Sequence, residues 1–138
     1  MNILTKFVVP LVAAISLTAC DLNPAPSKGY KKYKHQIEQS LKTLDDDFYR
    51  TKIEWNSCVY AWIQDDSWEE AGVEENTVWY SIVYTISSRF GSNSYHVGVV
   101  YYVDKDEIQE RSDITYYYSM LYDAITSGYA KGKVGTLK

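Results

Sequence analysis

Histidine, cysteine, methionine and proline are all scarce in this chain of 138 residues, with two, two, two and three copies respectively. The shortage of histidine and cysteine leaves little for metal chemistry. Neither His35 nor His96 has a Cys, His or carboxylate at a ligand spacing. No Gly-x-Ser-x-Gly elbow, phosphate-binding glycine loop or dinucleotide fingerprint occurs. The acidic turn Asp104-Lys105-Asp106-Glu107 alternates carboxylates as a calcium loop does. It lacks the later glycine and closing glutamate of an EF-hand loop. No catalytic residue, metal ligand or cofactor site is therefore read from the sequence. Long apolar runs are missing too. The longest, FVVPLVAAI at residues 7–15, is interrupted by Pro10 and falls short of the ~20 residues a membrane span needs.

That run has a different use. Lys6 gives it a positive head, and Leu17-Thr18-Ala19-Cys20 closes it with small residues before the cysteine. This is the layout of a secretory signal, and its ending resembles the lipobox of bacterial lipoproteins. The resemblance covers residues 1–20 only and implies a signal peptide over 1–19. It also implies a diacylglycerol on the Cys20 sulfur, cleavage before Cys20 and acylation of the new amino group. Several acyl chains hold a bilayer almost irreversibly, at ~0.8 kcal/mol per buried CH₂. It further implies a protein of the bacterial cell envelope, lipid-anchored and facing the periplasm. Asp21 resembles the enterobacterial signal for retention in the inner membrane, which it favours where that rule applies. With its sulfur acylated, Cys20 leaves Cys58 without a disulfide partner. The apolar setting of Cys58 suits a buried thiol.

Loss of the leader moves the formal net charge from -4 to -5, since only Lys6 goes with it. Lysines cluster at 28, 31, 32 and 34 and again at 131, 133 and 138, leaving a strongly acidic body between. Such a body repels nucleic acid. The first lysine cluster fits either attraction to anionic headgroups or the solvated face of a helix, with the helix face preferred. The acidic residues concentrate in DDSWEEAGVEEN, residues 65–76. Asp65, Asp66, Glu69, Glu70, Glu74 and Glu75 surround Trp68 there. An aromatic among carboxylates has the composition of an interface anchor for a basic protein. The other reading folds Trp68 back onto the domain.

Elements follow from periodicity. Residues 20–29, with Pro24 and Pro26, read as a lipidated tether, and 30–128 as a single domain. Tyr30, Tyr33, Ile37, Leu41, Leu44 and Phe48 share one face of a helix over about 28–49. Residues 51–64 fit a strand by composition and a helix by the spacing of Trp55, Val59 and Trp62; the strand is preferred. Val78, Tyr80, Ile82, Tyr84 and Ile86 alternate with Trp79 and Ser81 through Ser87. A second alternating run starts at Tyr95, and Gly91-Ser92-Asn93-Ser94 reads as the turn of a β-hairpin. Trp79 and Tyr102 would lie away from the core. Ile114, Tyr117, Tyr118, Leu121, Tyr122 and Ile125 mark a second helix, with Gly128 at its C-cap. Residues 129–138 read as a flexible basic tail.

The expected fold is α+β: a small antiparallel sheet with a central hairpin, flanked by an N-terminal and a C-terminal amphipathic helix, both on one face. The expected function is a non-catalytic protein-binding domain on a membrane anchor. Its specific form is an immunity or inhibitor lipoprotein that neutralises a basic toxin or lytic enzyme. The alternative is an envelope-assembly or secretion-accessory structural lipoprotein, and a cell-wall or sugar hydrolase stands third.

Overall fold

The computed structural model describes residues 24–44, 50–112 and 114–138. The leader, Cys20, Asp21 and the 45–49 end of the expected first helix lie outside them. The elements run α1 (Pro24–Leu44), β1 (Lys52–Ile63), β2 (Thr77–Ser88), β3 (Gly91–Tyr102), β4 (Glu107–Arg111), α2 (Ile114–Thr126) and β5 (Gly132–Leu137). The five strands form one antiparallel sheet in the order β4-β3-β2-β1-β5. β1 to β4 make a meander. α2 then crosses the sheet and delivers β5 to the far edge, beside β1.

The α+β class is as the sequence indicates, but the helices lie on opposite faces rather than on one. α1 packs Tyr30 and Tyr33 onto Cys58, Tyr60, Val78, Tyr80, Ile82, Val99 and Tyr101. α2 packs Leu121 and Ala124 onto Ala61, Ile63, Trp79 and Val100. Alternation along each strand feeds two cores, one per face. Trp79 is accordingly buried, at 1% exposure, and donates its indole N–H to Thr77 Oγ1 at 2.8 Å. Tyr102 is half-buried beside it. Both were expected to face away from the core. A chain with this many aromatics fills two layers.

α1 begins at Pro24, so part of the expected tether is helix. Prolines are tolerated in a first turn, where the N–H groups have no intrahelical acceptor. The Pro26 carbonyl accepts the Tyr80 hydroxyl at 2.6 Å. Gly29 lies flat against Tyr80 and Tyr101, where a Cβ would clash.

Within residues 51–64, Lys52–Ile63 form β1, with a bulge between Trp55 and Ser57. Ile53 and Trp55 face α1 before the bulge, and Cys58 and Tyr60 face it afterwards. That phase slip erases a clean period of two and mimics helical spacing. The hairpin turn is Arg89-Phe90, not 91–94: Ser92, Asn93 and Ser94 pair with Ser87, Ile86 and Thr85. Ser92, Asn93 and Ser94 are all exposed. The expected tail is an ordered strand, β5, pairing from Gly132↔Ile63 to Leu137↔Cys58. Gly132 lies against the Trp62 carbonyl and Gly135 against the Tyr60 ring. Two glycines and a lysine hid that strand from a hydropathy pattern.

Candidate functional site

The loop between β1 and β2 is built by its own carboxylate. Asp65 accepts the Ser67 hydroxyl at 2.7 Å and the Lys131 backbone N–H at 2.9 Å. The Ser67 hydroxyl bond, followed by the Lys131 bond, holds the Asp65 carboxyl below its usual range. Gln64 N–H reaches the Lys131 carbonyl at 2.8 Å. The loop is thus stapled to the chain that leads into β5. A 3-10 turn, Glu69–Ala71, follows and ends at Gly72 with φ +91. Val73 closes the loop, fully buried, with its N–H on the Trp68 carbonyl at 3.1 Å.

Trp68 does not stand out from this loop. It is half-buried, packs against the core beneath α2, and forms one wall of a depression. That depression, about 320 Å³, is completed by Met120, Asp123, Ala124, Ser127 and Tyr129. Across Asp123 lies a wider groove of about 660 Å³ between α2 and β5, lined by Val59, Tyr118, Tyr122, Val134 and Thr136 among others. Tyr122 is 42% exposed and Tyr129 83% exposed. The Tyr118 and Tyr122 rings are 6.1 Å apart. A band of aromatics therefore runs across α2 with a carboxylate at its centre.

The structure divides the acidic residues of residues 65–75. Asp66, Glu69 and Glu70 are exposed around Trp68. Glu74 and Glu75 lie instead beside Tyr102–Lys105, with Glu74 4.0 Å from the Lys105 amine. Asp65 is occupied within the loop. The expected seven-residue cluster is therefore two patches and a staple. Tyr129, Tyr122, Met120 and Asp123 were not picked out from sequence. The available signal was an α2 apolar stripe too broad for one buried face, with tyrosines at its margin.

Two other places carry polar chemistry. On the open half of the second face, Ser81 Oγ and His96 Nε2 are 2.6 Å apart. Beside them Thr85 Oγ1 donates to Asn56 Oδ1 at 2.8 Å and meets Ser94 Oγ at 3.0 Å. These are cross-strand pairs on a flat surface, which stabilise a sheet. At the start of α1, Asp106 accepts the Tyr101 hydroxyl at 2.6 Å and pairs with Lys32 at 3.4 Å and Lys28 at 3.9 Å. The Tyr101 bond foremost keeps the Asp106 carboxyl low. This cluster fastens α1 to the β3–β4 turn. Among the described residues no group of three His, Cys, Asp or Glu side chains is placed to hold a metal. No helix among them is long and apolar enough to cross a membrane. Set against protein-family models, curated proteins and solved structures, the chain matches none.

Proposed function

We propose that this chain is a bacterial envelope lipoprotein, acylated on Cys20, whose domain binds a basic protein without catalysing a reaction. The observation that carries the binding half is the α2 surface. It combines a half-open aromatic depression, the exposed Tyr122 and Tyr129, and carboxylates at Asp66, Glu69, Glu70 and Asp123. A desolvated aromatic centre within a charged rim is the layout of a protein interface. The lipobox-like ending Leu17-Thr18-Ala19-Cys20 carries the anchor half. An immunity or inhibitor protein acting on a basic toxin or lytic enzyme is the form that fits both.

Two measurements test it. Mass spectrometry of detergent-extracted protein should show a chain starting at Cys20 with added lipid mass, and Cys20→Ser should remain an uncleaved precursor. Capture from envelope extract should yield a basic protein whose binding weakens with salt. Tyr129→Ala should weaken that binding by about 2 kcal/mol or more at a true hot spot. Its melting temperature should not change, because Tyr129 is 83% exposed. Binding untouched by Tyr129→Ala, or a captured acidic protein, would overturn the assignment of this surface.

A further inference from the structure

We infer that the outward face of α1, joined by Lys138 from beyond β5, lies flat on the anionic surface of the bilayer that holds the anchor. This rests on acylation of Cys20 as proposed above. α1 carries five lysines and a single carboxylate, Glu38. That carboxylate accepts the Trp55 indole N–H at 3.2 Å. Lys31, His35, Glu38 and Lys42 fall on one outer row of the helix, three and four residues apart. Among the described residues Lys31, Lys42 and Lys138 have no ion-pair partner. The Lys34 amine lies 4.3 Å over the Tyr30 ring. Lys31, Lys34 and Lys138 surround a notch of about 60 Å³ with Ser27 on its wall. Lys138, far away in sequence, thus joins Lys31 and Lys34 on one flank.

Connectivity and charge select this face together. Four peptide steps separate Cys20 from Pro24, so acyl chains at Cys20 hold the start of α1 within ~14 Å of the headgroups. The start of α1 is clamped to the sheet through the Tyr80–Pro26 bond and the Asp106–Lys32 and Asp106–Lys28 pairs. The tether therefore orients the whole domain. Two poses satisfy it. In one, the domain stands on the end that holds the start of α1. That end also carries Glu74, Glu75 and Asp104, which an anionic surface repels. In the other, α1 lies along the bilayer over its ~30 Å length. Lysines then meet headgroups within a screening length, where each is attracted. α2, on the opposite face of the sheet, points away from the membrane.

The test uses the acylated full-length product in vesicles that carry a headgroup quencher. A fluorophore is placed on Gln39→Cys, in the outer part of α1, or on Glu70→Cys, in the acidic loop. Cys58 is fully buried and stays unlabelled. In vesicles with roughly one third phosphatidylglycerol, the Gln39→Cys label should be quenched at least ~3-fold more than the Glu70→Cys label. The difference should shrink towards parity in phosphatidylcholine alone, and in 1 M NaCl, where the screening length is ~3 Å. It should shrink likewise when Lys31, Lys34, Lys42 and Lys138 are each changed to Gln. Flotation with the vesicles but equal quenching of the two labels overturns the orientation and leaves the anchor standing. Failure to float overturns both. A difference that survives the four Lys→Gln changes overturns headgroup attraction as its cause.

Discussion

Trp68 is a half-buried residue in a largely exposed loop. Six carboxylates suggest that exposure, but Val73 is fully buried and Trp68 itself packs beneath α2, the second of its two sequence readings. The consequence is measurable. A fully buried Trp→Ala change costs ~3–5 kcal/mol, so Trp68→Ala at half burial should cost about 1–3 kcal/mol. At this size that lowers the melting temperature by several degrees. An unchanged melting curve would return Trp68 to the role of a free anchor. Titration behaviour follows from other single residues. Asp65 is held below the ordinary 3.8 by the bonds from Ser67 and Lys131. A lowered folded pKa means stability that is complete above the unfolded value and lost as pH falls through the folded one. Acid unfolding should therefore steepen below the ordinary carboxylate pKa, and Asp65→Asn should flatten that limb. Burial pushes the Cys58 thiol from 9.0 up to about 12. A raised folded pKa means stability that is complete below the unfolded value and lost as pH rises. Urea midpoints should decline from about pH 9 upwards, and Cys58→Ala should remove the earliest part of that decline. A flat profile between pH 9 and 10 in the parent protein would contradict the burial.

Among the elements, those with an uninterrupted period were legible and those with a break were not. β2 and β3 have a period of two in sequence. Val78, Tyr80, Ile82 and Val99 are fully buried and Val97 half-buried, while Trp79 and Val100 on the second face are buried too. α2 ends as its sequence indicates. Gly128 has φ +88, and the Tyr129 N–H reaches the Ala124 carbonyl at 2.8 Å, closing the helix in the manner of a Schellman cap. The bulge in β1 removed the period. The sequence of β4, Glu107–Arg111, has only Ile108 as a large apolar residue, so no strand is legible there. β5 hid behind Gly132 and Gly135. The surface on α2 was illegible for a related reason. Its residues come from a loop, a helix and a strand edge that only the fold brings together. The glycines of β5 now support a prediction. A Cβ on Gly135 would meet the Tyr60 ring within about 2.8–3.0 Å. Gly135→Val should therefore force β5 off β1 or displace Tyr60, at a cost of about 1–3 kcal/mol. Hydrogen exchange in β1 should quicken from Cys58 to Ile63, which pair with β5, while β2 and β3 stay protected. Uniformly unchanged exchange would mean that β5 is loosely held.

For the whole molecule the decisive property is the uneven distribution of charge. α1 carries five lysines and one carboxylate, and the sheet between the helices is largely apolar. Most of the described carboxylates lie in the β1–β2 loop and around the β3–β4 turn, with Asp123 on α2. A protein that is acidic on average can in this way present opposite signs to a membrane and to a soluble partner. The division of the acidic loop then makes a prediction that a simple count of carboxylates cannot. If a basic partner docks on the α2 surface, only charges near the Trp68 depression steer it strongly, because opposite charges beyond a screening length of ~8 Å are damped. Asp66, Glu69 and Glu70 are exposed chain neighbours of Trp68, whereas Glu74 and Glu75 sit beside Lys105 and the β3–β4 turn. Neutralising the first set (Asp66→Asn, Glu69→Gln and Glu70→Gln) should slow association several-fold at low salt and leave dissociation nearly unchanged. Neutralising Glu74 and Glu75 to Gln should change the association rate much less. Neither set should alter stability by more than about 0.5 kcal/mol, since these are exposed charges away from the core. Stopped-flow association at two salt concentrations separates the outcomes. Equal slowing by both sets would place the contact at the shared end of the domain. A larger effect from Glu74 and Glu75 would move it to the β3–β4 turn and away from α2.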